Sequence, residues 1–177
     1  QLFNAAMARQ ELNAVCVPLH VGAPQLPALL AGLAGCQNLA GLVVTIPHKE
    51  AVVAHCGELT PAARLVGAAN VLRWDGARGH WVGGNLDGDG FVAGLKERGH
   101  ALAGQRVLLL GAGGAGKAIA YAVGREHPAE LVLHNRSMAR AEEVLARIAP
   151  ALPGVAVRTG AADAAGFDVV INATALG

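Results

Sequence analysis

Apolar positions along the chain fall into two recurring arrangements, short continuous runs and longer stretches with helical spacing. In the first half they alternate. Residues 13–21 predict a strand, and Pro24 to Leu33 a helix with prolines at its opening. Gly41 to Ile46 is an apolar run of strand length, stopped by Pro47, which has no N–H to donate. Pro47 to Ala54 then predicts a short helix, and Thr60-Pro61 caps another that runs through Leu65. Ala69 to Trp74 and His80 to Val82 predict two strands, with a turn at Asp75-Gly76.

The second half has a plainer order. Residues 87–98 read as a helix with Phe91, Val92 and Leu95 available for burial, stopped at Gly99. A strand at 107–110, a helix at 114–125, a strand at 131–133, a helix from Ser137 to about Ile148 and a strand at 168–172 follow. Such βαβα order with short connections predicts a Rossmann-type unit. The fold class is therefore α/β. A first α/β domain covers residues 1–86 and a Rossmann-type domain covers 87–177, entered through a linker helix at 87–99.

Gly111, Gly113 and Gly116 form G-x-G-x-x-G between a predicted strand and a predicted helix. In that context the glycines allow a tight turn, room for a pyrophosphate and close helix–strand packing. Gly114 and Ala115 complete the helix N-terminus, whose free N–H groups favour phosphate. The bland alternative is a glycine-rich packing turn. The next strand exits through His134-Asn135-Arg136-Ser137, and Arg140 lies one turn on. No carboxylate stands there to hold a ribose hydroxyl, whereas Arg136 and Arg140 can clamp a 2′-phosphate with Ser137 assisting. The expected cofactor is NADP. Upstream, Lys49 ends a strand-and-proline segment and Asp87 opens a helix. A lysine and an aspartate ahead of a nucleotide fold suggest proton transfer coupled to hydride transfer.

Composition narrows the field. With 53% hydrophobic and 15% charged residues the chain can bury cores, which must be built from Ala, Val and Leu because aromatics are only 3%. The net charge of +1, from 14 basic and 13 acidic residues, offers no field for nucleic acid or an anionic membrane. No apolar run reaches the roughly 18–20 residues of a membrane span. Cys16, Cys36 and Cys56 form no disulfide framework and no Cys-x-x-Cys pair, so reduced thiols and no metal are expected. Gln1-Leu2-Phe3-Asn4 has neither an initiator methionine nor a signal-peptide layout. The expectation is a cytoplasmic protein whose chain starts inside a longer product.

Six segments, taken in order, resemble the shikimate dehydrogenase family: Thr45-Ile46-Pro47-His48-Lys49-Glu50, Gly67-Ala68-Ala69-Asn70, Gly84-Asn85-Leu86-Asp87-Gly88, Gly111-Ala112-Gly113-Gly114-Ala115, Asn135-Arg136-Ser137 and Ile171-Asn172-Ala173-Thr174. The resemblance implies a two-domain NADP-dependent oxidoreductase that interconverts 3-dehydroshikimate and shikimate, acting on a small cyclic acid as a monomer or homodimer. It implies that Lys49 and Asp87 line the cleft and act on the reacting carbon–oxygen bond. It further implies substrate contacts from Thr45, Asn70 and Asn85, and places Asn135, Arg136, Ser137, Arg140 and Thr174 with the cofactor. Asn70 can instead be a loop tie and Asn85 a turn residue.

The chain departs from the family pattern at three points. G-x-N-V-T becomes Gly41-Leu42-Val43-Val44-Thr45, A-V-N-T becomes Ala68-Ala69-Asn70-Val71, and G-x-N-T-D becomes Gly83-Gly84-Asn85-Leu86-Asp87. Three polar-to-apolar changes suggest a divergent paralogue whose substrate has fewer hydroxyls or another ring face, since losing one hydrogen-bond partner shifts discrimination by powers of ten. Quinate or an aminated shikimate are alternative substrates, and a non-catalytic NADP-binding regulatory domain is the alternative from another class. The family's Ser-x-Ser-Pro would lie upstream of Gln1 and its C-terminal return beyond Gly177, so the chain is expected to be incomplete at both ends.

Overall fold

Two four-stranded sheets organise the described residues. The structure, a computed structural model, describes residues 2–174, so residue 1 and residues 175–177, the outer ends of the two expected domains, lie outside it. Helix α1 (Leu2–Arg9) and helix α2 (Leu26–Leu33) precede the first sheet. That sheet contains β1 (Leu42–Val43), β2 (Cys56–Leu59), β3 (Val71–Asp75) and β4 (His80–Gly84) in the order β1-β3-β4-β2, with helix α3 (Pro61–Val66) between β2 and β3. β3 and β4 form the antiparallel hairpin expected around Asp75-Gly76, and β2 runs parallel to β4.

Helix α4 (Asp87–Glu97) leads into the second sheet, and Gly99 beyond it takes φ +79°. The sheet's strands are β5 (Arg106–Leu110), β6 (Glu130–His134), β7 (Ala156–Thr159) and β8 (Val169–Asn172), ordered β7-β6-β5-β8 and all parallel. Helices α5 (Gly114–Gly124) and α6 (Met138–Ile148) follow β5 and β6. A parallel sheet covered by helices hides both faces, which is why β5 and β6 read as unbroken apolar runs. Val107, Leu109, Leu131 and Leu133 are fully buried against Val123 and Ile148.

The first sheet has its own core, in which Leu26 and Leu30 pack with Val52, Leu72 and Trp81. Trp81 Nε1 donates to the Leu30 carbonyl at 3.2 Å, satisfying its buried N–H. Between the two units, α4 packs on α5 at Gly88. A Cβ there would stand 2.2 Å from the Ala118 carbonyl oxygen, so only glycine lets the helices approach this closely.

Several expectations change. Residues 13–21 form no strand, because no neighbouring strand pairs with their backbone. The Asn4 side chain alone grips Cys16, accepting from its N–H at 2.6 Å and donating to its carbonyl at 3.0 Å. The run from Gly41 to Ile46 supplies only a two-residue ladder, extended by Val44 N–H donating to the Asn70 carbonyl at 2.7 Å. Pro47 does not open a helix: it lies in a turn after a cis peptide bond, and a 3-10 turn follows at Ala51–His55. β2 and β7 were not expected. Both are sheet edges of four residues, and a register shift between Cys56 and Glu58 breaks the two-residue period of β2.

Thr60 does cap α3, its Oγ1 accepting from Ala63 N–H at 3.3 Å. Thr60→Ala is expected to lower stability by about 1 kcal/mol while Thr60→Ser keeps most of it, as read from thermal unfolding. Among the described residues no helix is long and apolar enough to cross a membrane.

Candidate active site

Lys49 sits in the turn after β1, held there by its backbone and its neighbour. Its carbonyl accepts from Ala69 N–H at 2.8 Å, at the entry to β3. Next to it His48 is buried, and its Nε2 lies 2.9 Å from the Val21 carbonyl, a distance at which that nitrogen carries the proton and donates. The lysine side chain crosses to α4. Lys49 Nζ lies 2.6 Å from Asp87 Oδ2, with the two side chains 16% and 21% exposed. Partial burial weakens solvent screening and makes the charge-assisted bond directional.

Asp87 is fixed from three directions. Its Oδ1 accepts from Asn70 Nδ2 at 2.7 Å. Asn70 Oδ1 in turn accepts from Leu86 N–H at 2.9 Å, and Asn85 Oδ1 accepts from Asp87 N–H at 3.1 Å. Asn85 is buried, and its amide also donates to the Ala68 carbonyl at 3.0 Å. Both halves of that amide are thus engaged within the protein, so Asn85 shapes the turn that presents Asp87. Thr45 is exposed, and its hydroxyl makes only a 3.4 Å contact with the Ile46 carbonyl. Val43 and Val71 are cross-strand partners in β1 and β3, and Leu86, 57% exposed, adjoins Asp87.

The glycine-rich turn meets this cluster. Gly111 has φ +107°, and a Cβ on Gly116 would lie 2.1 Å from the Gly111 carbonyl oxygen, so both glycines are required by close backbone approach. A Cβ on Gly113 would meet nothing within 4 Å, leaving open space in front of the α5 N-terminus. At Gly114 it would stand 3.0 Å from Lys49 Cβ, which brings the start of α5 against the lysine. Open backbone at a helix N-terminus, next to the Lys49–Asp87 ion pair, has the donor chemistry to hold a dinucleotide pyrophosphate.

Residues after β6 brace the turn. Asn135 Oδ1 accepts from Ala112 N–H at 3.2 Å and its Nδ2 donates to the Ser137 carbonyl at 3.0 Å, while Arg140 Nε donates to the Ala112 carbonyl at 3.1 Å. Ser137 occupies the N-cap position of α6, but its hydroxyl makes no capping bond. Arg136 is exposed beside it. Thr174 N–H and Oγ1 both reach Asn172 Oδ1, at 3.0 and 2.8 Å, just past the end of β8. Glu50, the last residue of the Thr45–Glu50 segment, and Lys117 join the site's border without a role expected from sequence: Glu50 contacts both Arg140 and Lys117. No local spacing announces that contact, because Glu50 and Arg140 are separated by 90 positions.

Comparison with known proteins finds matches over both halves of the chain. The family model described as the shikimate dehydrogenase substrate binding domain matches residues 1–72, and that described as shikimate / quinate 5-dehydrogenase matches residues 94–176. The chain is 40% identical to the shikimate dehydrogenase (NADP(+)) of Symbiobacterium thermophilum, over 99% of this chain and 61% of that protein. Among solved structures it is similar to shikimate 5-dehydrogenase from Listeria monocytogenes in complex with shikimate and NAD, with TM-score 0.84, 29% identity, and 98% of this chain against 62% of that one. The Thermus thermophilus enzyme in complex with NADP(H) and shikimate gives 0.82 at 28% identity, over 96% and 60%. The chain therefore spans about three-fifths of the length of these relatives, 61% of the curated one.

Proposed function

This chain belongs to the shikimate dehydrogenase family, and we propose that it serves an NADP-dependent oxidoreductase interconverting 3-dehydroshikimate and shikimate or a closely related cyclic hydroxy acid. In this reading residues 1–86 bind substrate and residues 87–177 bind cofactor. NADPH, when bound, supplies the hydride, and NADP+ accepts it in reverse. Hydride addition to a ketone builds charge on oxygen, and the Lys49 ammonium both stabilises that charge and delivers the proton. Asp87 keeps the ammonium aimed, and Asn70 keeps Asp87 from turning away. Thr45, which is exposed, and Asn70, which is half-buried and keeps a second amide proton, are assigned to the substrate side, whereas the buried Asn85 is assigned to positioning Asp87. Gly111, Gly113, Gly114, Ala115 and Gly116 would receive the pyrophosphate. Arg136, Ser137 and Arg140 would receive the 2′-phosphate, with Asn135 and Thr174 shaping the border. The observation that carries the proposal is the bonded series Lys49–Asp87–Asn70 standing against the first residue of α5.

A second substrate reading rests on Val43 and Val71, paired across two strands, together with Leu86 beside Asp87. These apolar side chains would favour an acid that presents a different ring face, such as quinate. The test is reduction of NADP+ by the intact protein with shikimate, quinate and no substrate, followed through the absorbance of the reduced nicotinamide. Turnover with shikimate at least about tenfold above quinate is expected, a difference of roughly 1.4 kcal/mol in the transition state. Preference for quinate would select the second reading. Tight NADP+ binding without turnover of any cyclic acid would replace both with a regulatory role.

A further inference from the structure

Glu50 follows Lys49 in sequence but reaches to the helices of the second sheet. One carboxylate oxygen bonds Arg140 Nη2 on α6, and the other lies 3.3 Å from Lys117 Nζ on α5. The lysine end is only 12% exposed, whereas Glu50 and Arg140 are 39% and 45% exposed. Arg140 is held by two edges at once. Nε donates to the Ala112 carbonyl in the glycine-rich turn, and Nη2 is engaged by Glu50. Its guanidinium is thus fixed at the border of the dinucleotide site with part of its donor fork already occupied.

In the function proposed above, on which this step rests, Arg140 helps hold the 2′-phosphate of NADP. That phosphate and the Glu50 carboxylate draw on the same guanidinium charge, and they repel each other. We infer that Glu50 is a specificity-determining residue: a carboxylate within the protein that competes with the 2′-phosphate for Arg140 and so moderates the preference for NADP over NAD. NAD carries a hydroxyl in place of that phosphate. It makes no demand on the guanidinium's charge and coexists with the Glu50–Arg140 pair. The pair is half-exposed, which sets its strength at the modest level of solvated ion pairs.

Dissociation constants of NADP+ and NAD+ for the intact protein, measured by titration calorimetry in the wild type, Glu50→Gln and Arg140→Ala, test the inference. Glu50→Gln keeps the shape of the side chain and removes its charge. It is expected to tighten NADP+ about threefold to fivefold, the effect of freeing one solvated ion pair, and to leave NAD+ within about twofold. Arg140→Ala is expected to weaken NADP+ selectively. If Arg140→Ala weakens NADP+ while Glu50→Gln changes nothing, or tightens both nucleotides equally, the competition is overturned and the phosphate clamp survives. If Arg140→Ala binds NADP+ like the wild type, the clamp itself is overturned, and the competition with it.

Discussion

Lys49→Ala is expected to lower kcat for shikimate oxidation by about 10³-fold, within the range that one positioned proton-transfer group contributes. The dissociation constant of NADP+ should change less than about threefold, because Lys49 approaches α5 through its stem rather than through a phosphate-directed charge. The reason for the large effect is geometric. Nζ lies 2.6 Å from Asp87 Oδ2, and Asp87 is held in turn by Asn70, so the ammonium has one aim. Alanine removes the donor and leaves the half-buried carboxylate without its cation. A pre-steady-state measurement separates the steps: hydride transfer should slow while nucleotide binding stays fast. Retention of kcat within tenfold of the wild type would remove Lys49 from the chemistry.

The second large effect lies in packing. Gly88→Ala is expected to lower stability by about 3 kcal/mol, at the upper end of overpacking costs, because the new methyl meets backbone rather than a yielding side chain. Its Cβ would stand 2.2 Å from the Ala118 oxygen, 2.7 Å from the Ala118 carbonyl carbon and 2.8 Å from Ala122 Cβ. Neither helix can relieve this without moving apart, and separation would carry Asp87, the residue before Gly88, away from Lys49. Gly90→Ala, two residues on, is the control: its Cβ would meet nothing within 4 Å, and it should stabilise the helix by about 0.5–1 kcal/mol. Denaturant unfolding of the two variants should therefore move in opposite directions. A Gly88→Ala protein as stable as the wild type would show that the α4–α5 contact is looser than a 2.2 Å approach implies.

Which parts of this fold could be read in advance follows from where their stabilising partners sit. β5, β6 and their helices were legible because each strand is an apolar run buried on both faces, and each helix carries its own period. The β3–β4 hairpin was legible because its partner is a few residues away. Residues 13–21 alternate as a strand does, yet Val15, Val17 and Leu19 remain exposed, since alternation predicts a face and not a neighbour. β2 was hidden by its irregular register with β4. In the site, Lys49 and Asp87 stand out as a lysine closing a strand-and-proline segment and an aspartate opening a helix, both ahead of a nucleotide fold, and the motif resemblance joins them. The engagement of both ends of the Asn85 amide, and the contact of Glu50 with Arg140, depend on how distant segments fold onto each other and have no local signature.

Asp87 opens α4, and its neighbour Gly88 is wedged against α5, whereas Lys49 and Asn70 belong to the first sheet's side of the molecule. The seam of the architecture therefore runs between the two members of the Lys49–Asp87 ion pair. This gives a rule for recombining relatives. A graft joined just ahead of Asp87 transplants the carboxylate together with the helix surface that seats it. One joined after α4 leaves the carboxylate on a helix facing an unfamiliar partner, where a single extra methyl at the crossing is enough to misplace it. Exchange of the halves that begin at α4 is thus governed by one glycine at a helix crossing.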